Sequence, residues 1–280
     1  MKKTQLILVL TSLVLLSTLY FLAPRFKKST ISTDSATGQH QAITNASVLE
    51  NAKLALSAEH KITLLSLDNE LVKSKTNADS LHVYHEMTTF WGNTVGKPEP
   101  YFYYTYTAAL LENSEKSLTF AAQLLVDNLT SPEAPPDMQP WIAGNAKVLL
   151  EKALVFNPNN DSAIVNLGAC YLFGNLSDNP MAGIQKIKEV LDKNPKNSYG
   201  QFILGLGGKK SGQYDKAIER FIAVLKEDSN NLEAMVNLAE CYELTDKKQL
   251  AIEWYTKVNE RVTIPQAKEA INKRIKQLKK

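Results

Sequence analysis

The chain has 280 residues, a formal net charge of +3 and two cysteines, and 44% of its residues are hydrophobic. That length allows one or two ordinary domains, and so small a net charge implies no polyanionic partner and no nucleic acid. Two cysteines, Cys170 and Cys241, set far apart, are too few for a disulfide framework and read as buried free thiols.

Lys2 and Lys3 precede an uncharged apolar run from Leu6 to Ala23, which Arg25, Lys27 and Lys28 end sharply. As a helix this run would span about 27 Å, enough for a bilayer core. Its end, Tyr20-Phe21-Leu22-Ala23-Pro24, lacks the small-x-small pattern of a cleavage site. Residues 1–28 therefore read as a retained signal-anchor, a transmembrane helix with basic flanks; a cleaved signal peptide and a secreted chain are the alternative. A short tail ahead of a signal-like span favours a single-pass membrane protein with its bulk on the extracytoplasmic, periplasmic side. Residues 29–46 are rich in Ser, Thr, Gln and Asn and read as a polar tether.

An N-terminal helical region follows over 47–130. Apolar residues recurring at three and four spacings predict a long amphipathic helix over 48–74, a second over 78–92 and a third over 99–112. The third opens with Tyr101-Phe102-Tyr103-Tyr104-x-Tyr106, a density of rings that suits core packing or, in part, a partner surface. Helices over 116–129 and 141–156 form an irregular pair, 116–160. The link Ser131-Pro132-Glu133-Ala134-Pro135-Pro136 between them cannot be helical throughout.

Three copies of one pattern then follow, at 161–197, 198–231 and 232–262. The first has Leu167-Gly168-x2-Tyr171. The second has Leu204-Gly205, then Gly212-x-Tyr214 and Ala217-x3-Phe221. The third has Leu238-Ala239-x2-Tyr242 and Ala251-x3-Tyr255. Leu204 to Leu238, Ala217 to Ala251 and Phe221 to Tyr255 are each 34 residues apart. In the first copy the second helix comes three residues late, after the turn Phe173 to Pro180, with Asp178 or Asn179 as its cap and Pro180 in its first positions. In the second, Gly208 stands where the others have Tyr171 and Tyr242, within a glycine-dense helix that is either softened or closely approached. The last helix, 265–278, sets apolar Ala267, Ile271, Ile275 and Leu278 against a lysine-rich face, as a capping helix does.

This pattern resembles the tetratricopeptide repeat, here in a membrane-anchored bacterial form. The resemblance implies an all-α fold: a short superhelical stack of antiparallel helix pairs over 131–280, a TPR-like solenoid behind the N-terminal transmembrane helix. It further implies a concave groove lined by the first helix of each pair. The groove candidates are Val165, Ala169 and Leu172; Phe202, Leu206 and Lys209; and Val236, Glu240 and Glu243. These are not the Lys, Arg and Asn of a carboxylate clamp, and an apolar peptide or helix suits them better.

No catalytic pattern stands out, and no cofactor or metal is expected. His85-Glu86 lacks the second histidine of a zinc-protease motif, and Gly205 to Gly208 has no phosphate-loop continuation. The expectation is a membrane-anchored scaffold or adaptor, attached through residues 6–23, with a protein or peptide partner and no enzymatic activity. A ligand-binding or enzymatic module in the N-terminal helices and a homo-oligomer whose groove holds a neighbouring copy are the alternatives.

Overall fold

The computed structural model describes residues 43–176 and 180–280. Every regular element in them is helical. The chain enters through α1 (Asn45–Leu54), α2 (Ala58–Lys73) and α3 (Asn77–Thr89), which continues as a π-helical turn over Phe90–Val95. Next come α4 (Pro98–Glu112), α5 (Glu115–Thr130) and α6 (Gln139–Phe156). The three repeats supply α7 (Asp161–Phe173) with α8 (Met181–Lys193), α9 (Ser198–Lys210) with α10 (Tyr214–Glu227), and α11 (Leu232–Leu244) with α12 (Lys248–Arg261). Helix α13 (Pro265–Leu278) ends the stack and packs on α12.

Each repeat starts with the same device. Asn160, Asn197 and Asn231 hold extended backbone before α7, α9 and α11, and each side-chain oxygen accepts the amide three residues on, at 3.0, 2.8 and 2.9 Å. An asparagine cap satisfies a helix-end donor that would otherwise lack a partner. The small residues then let the two helices of a pair close on each other. A Cβ built on Gly205 would lie 2.7 Å from Cε1 of the fully buried Phe221, and one on Gly168 would lie 2.6 Å from Cγ1 of Ile187. Ala217 and Ala251 are fully buried on the opposing helices.

Three expected elements take a different form. The helix expected over 48–74 is two, because Ser57 turns its hydroxyl onto the His60 amide at 3.1 Å and starts α2 afresh, while Leu56 is buried in the bend. The helix expected over 78–92 widens into a π turn at Phe90, with Trp91 in the core, and is stopped by Gly96 at φ 69°. Pro180 stands at the cap position of α8 rather than inside it. Asp178 and Asn179, the expected caps, lie outside the described residues. The non-helical link between α5 and α6 is as expected.

The N-terminal helices join the same stack. Helix α1 packs on α4, which packs on α5 and α6, and the Trp141 indole of α6 donates to Asn45 Oδ1 of α1 at 2.7 Å. First helices also meet first helices, α5 against α7 and α7 against α9 closely, α9 against α11 less so. That row forms the inner face of the superhelix.

The membrane-anchored architecture is corrected here. Among the described residues no helix is long and apolar enough to cross a membrane. The longest, α6, has 18 residues but carries Lys147, Glu151 and Lys152, charges that oppose insertion into hydrocarbon. The apolar run 6–23 and its basic flanks, residues 1–28, lie outside the described residues, as does most of the tether. The fold is thus an all-α stack of helix pairs without a transmembrane helix among the described residues. The anchored type of repeat protein, the membrane as a partner, the single-pass location with an extracytoplasmic bulk and its secreted alternative are not carried further.

Candidate functional site

The inner face is organised by polar side chains that bridge successive first helices. Asn166 of α7 donates to Gln123 Oε1 of α5 at 2.7 Å; Gln123 Nε2 donates to the Tyr199 hydroxyl of α9 at 3.1 Å; and that hydroxyl donates back to Asn166 Oδ1. The three bonds close a ring across three helices. Asn166 is fully buried and has both ends of its amide satisfied, which removes the penalty for placing it there. Burial also raises the Tyr199 pKa above its ordinary value, so the hydroxyl keeps its proton.

Two carboxylates flank the ring. Asp127 lies one turn beyond Gln123 on α5 and accepts from its amide at 2.6 Å. Glu233 lies at the start of α11, where burial first, and then the charge of Asp127, raise its carboxyl pKa. Neither makes a salt bridge among the described residues. Phe120, on the same face of α5 as Gln123 and Asp127, is 66% exposed, which leaves its ring available to a partner.

A second bridge joins α9 to α11. Lys209 Nζ donates to Asn237 Oδ1 at 2.8 Å and pairs with Glu240. Asn237 in turn donates to the Glu233 carbonyl at 2.9 Å. At the end of the stack Glu243 accepts the Tyr255 hydroxyl at 3.1 Å and Arg274 Nε of α13 at 2.9 Å. The cation expected beside the groove, Lys209, is therefore already engaged by the chain itself.

The groove candidates separate into three groups. Val165 and Ala169 are fully buried, because α7 is packed closely by first helices on both sides and their side chains are short. Phe202, Leu206 and Val236 are half-buried, with the Phe202 ring edge-on to Phe221 at 5.8 Å between centroids, and Lys209, Glu240 and Glu243 border them in the pairs just described. Leu172 turns away from this row toward Gly207, on the side of α8 and α10. Gln123, Asp127, Asn166, Tyr199, Glu233 and Asn237 were not among the candidates. Part of that signal was present: Asn166-Leu167-Gly168 and Asn237-Leu238-Ala239 place an asparagine at the same step of two repeats.

Other chemistry is sparse. His82 pairs with Glu86 at 3.5 Å on one exposed face of α3. Among the described residues no three His, Cys, Asp or Glu side chains are grouped to hold a metal ion. Cys170 and Cys241 are free and buried, and burial pushes their thiols up to about 12 and about 11, out of the nucleophilic range.

The family model described as tetratricopeptide repeat matches residues 210–263, which run from the end of α9 through α12. No curated protein matches the chain by sequence. Among solved structures, TTC0263, a thermophilic TPR protein of Thermus thermophilus, superposes with a TM-score of 0.50 at 15% identity, covering 72% of this chain and 98% of its own. YrrB, described as a TPR protein with an unusual peptide-binding site, gives 0.41 at 17% identity over 74% of this chain and 97% of its own. MamA from Desulfovibrio magneticus gives 0.40 at 20% over 64% and 93%. The last two scores are too low to carry weight. The likeness to TTC0263 and the match over 210–263 agree with the helix pairs described above: the chain has the fold of a TPR-like solenoid.

Proposed function

We propose that this protein is a protein-interaction scaffold that holds a peptide or short helix against the inner face of α5, α7, α9 and α11. The partner carries apolar side chains for Phe120, Phe202, Leu206 and Val236 and at least one Lys or Arg for Asp127 and Glu233. Val165 and Ala169 serve the packing beneath, and Lys209, Glu240 and Glu243 fix the spacing of the helices.

The observation that supports this reading is the pair of carboxylates beside Tyr199. Two exposed acids within each other's field, with no salt bridge on either among the described residues, leave a concentration of negative charge on this face. A cationic group on a partner offsets it, and the hydrogen-bonded ring keeps the receiving surface in place before the partner arrives. Apolar area next to the acids supplies the remaining affinity.

The test is selection from a random dodecapeptide display library on the full chain, followed by fluorescence anisotropy. The selected peptides are expected to combine Leu, Phe or Tyr with Lys or Arg. Their affinity is expected to fall about tenfold in the Asp127→Asn, Glu233→Gln double variant. Selection of acidic peptides, or binding indifferent to those two changes, would refute the assignment.

A further inference from the structure

A second recess lies on the other side of α9, where the repeats depart from their own pattern. Successive second helices do not pack closely on one another in this stack. Here α8 begins late, after the insertion in the turn that follows α7, and between α8 and α10 a cleft of about 790 Å³ opens. Gly208 stands at the step that Tyr171 and Tyr242 occupy in the neighbouring repeats, and Gly207 beside it also carries no side chain. The floor is apolar, made by Leu172, Leu204 and Gly207, with Met181 and Ile184 on the α8 wall. Met181 is 61% exposed, so an apolar side chain entering the cleft has a surface to cover.

The walls are basic. Lys188 comes from α8, Lys210 from the end of α9, and Lys216 and Arg220 from α10; among the described residues Glu219 is the one carboxylate lining the cleft. None of the four cations makes a salt bridge among the described residues. Arg220 is steadied by Gln201 Oε1 at 2.7 Å, and Lys216 by Gln213 Oε1 at 2.8 Å. The Lys210 ammonium sits 5.2 Å from the Phe173 ring centroid, and partial desolvation, with no carboxylate beside it to compensate, lowers its pKa.

We propose that this cleft is a second docking site, separate from the inner face, for an acidic peptide segment that inserts one aromatic side chain over Leu172, Leu204 and Gly207. The charges choose the class of occupant. They stand on three helices around both walls, so one carboxylate head group would meet only part of them, whereas a segment with several carboxylates spaced along it meets all. The glycines leave room for the anchor, since neither Gly207 nor Gly208 puts a side chain into the cleft they line.

The experiment is fluorescence anisotropy of the full chain with a fluorescein-labelled peptide in which Glu and Asp residues flank one central Phe. Saturable binding is expected, weakening as salt rises. It is expected to weaken about tenfold when Phe is replaced by Ser in the peptide, and about tenfold in the Lys210→Glu, Lys216→Glu double variant of the protein. Gly207→Leu, whose Cβ would meet only the Leu172 methyl groups, at 3.6 and 3.8 Å, is expected to block the site. Unchanged circular-dichroism melting of the double variant, whose substitutions lie at exposed positions, separates lost binding from lost fold. Asp127→Asn with Glu233→Gln is expected to leave this binding intact, so failure of the inner-face reading is read separately. Absence of saturable binding, indifference to the Lys and Gly variants, or equal binding of a lysine-flanked peptide would overturn the proposal. Displacement of the peptide by an equal concentration of laurate would overturn the choice of a peptide.

Discussion

Replacing Asn166 by alanine removes the donor to Gln123 and the acceptor of the Tyr199 hydroxyl in one step. Gln123 Nε2 keeps Asp127, but its Oε1 and the Tyr199 hydroxyl proton lose their partners in a site that α5, α7 and α9 shield from water. Each buried group left without a partner costs about 1–3 kcal/mol, so the variant, with two such groups, should lose about 2–6 kcal/mol. For a chain of this size that lowers Tm by about 4–24 °C. Tyr199→Phe removes the bridging hydroxyl and should cost about 1–2 kcal/mol. Because the two changes break the same ring, the double variant should lose at least about 0.5 kcal/mol less than the sum of the single losses. Urea titrations followed by circular dichroism, compared by midpoint at constant slope, measure all three. Additive losses, or a cost below about 0.5 kcal/mol for Asn166→Ala, would show that the ring does not join the helices.

Three further outcomes are expected. Gly205→Ala forces a Cβ to 2.7 Å from the fully buried Phe221 ring and should cost about 1–3 kcal/mol, whereas Gly207→Ala has room and should gain about 0.5–1 kcal/mol; thermal melts of the pair test the contrast. Glu233→Gln should raise Tm at neutral pH. The folded-state carboxyl pKa is raised, so above the ordinary carboxylate value the native chain binds more protons than the unfolded one, and stability falls as pH rises through that window; the gain should vanish in acid, and a lower Tm at neutral pH would contradict it. Iodoacetamide should leave Cys170 and Cys241 unmodified until the chain is unfolded in urea, as mass spectrometry of native and unfolded samples would show.

The repeat was readable because its defining residues are small side chains at obligatory close approaches. Gly168, Gly205, Ala217 and Ala251 cannot be larger without separating the pair, so each leaves a mark in the sequence at fixed spacing. Helix starts were readable where proline enforced them, as at Pro98 and Pro265. The break at Ser57 was not, because a serine within an apolar period is as compatible with a continuous helix as with a cap until its hydroxyl is seen on an amide. The make-up of the inner face was readable in part. Register alone placed Val165 and Ala169 beside Phe202 and Leu206, but exposure depends on how closely neighbouring first helices approach. That approach is set by the polar bridges, whose partners lie 28 to 76 residues apart in the chain.

Positions that every repeat must fill alike belong to the stack, so what is particular to this protein sits where its repeats disagree. The first and third repeats place Asn166 and Asn237 one step ahead of the shared leucine, and the second has Ile203 there. Both asparagines reach across to a neighbouring first helix, while Ile203 is simply buried, so the bridges alternate with apolar packing along the row. The disagreement at Gly208 has the opposite effect, removing a side chain and opening the outer cleft. Among the described residues, one face gathers unpaired acids around a fixed polar ring, and the other gathers unpaired bases over an apolar floor. Two surfaces of opposite charge on α9 and its neighbours are suited to different partners, and a scaffold that joins two partners requires that their sites not compete. The variants at Asp127 and Glu233 on one side, and at Lys210 and Lys216 on the other, are therefore expected to affect binding independently. If instead a cationic peptide on the inner face changed the affinity of the acidic one, the two sites would be coupled through α9, whose glycine-dense C-terminal half is the segment they share.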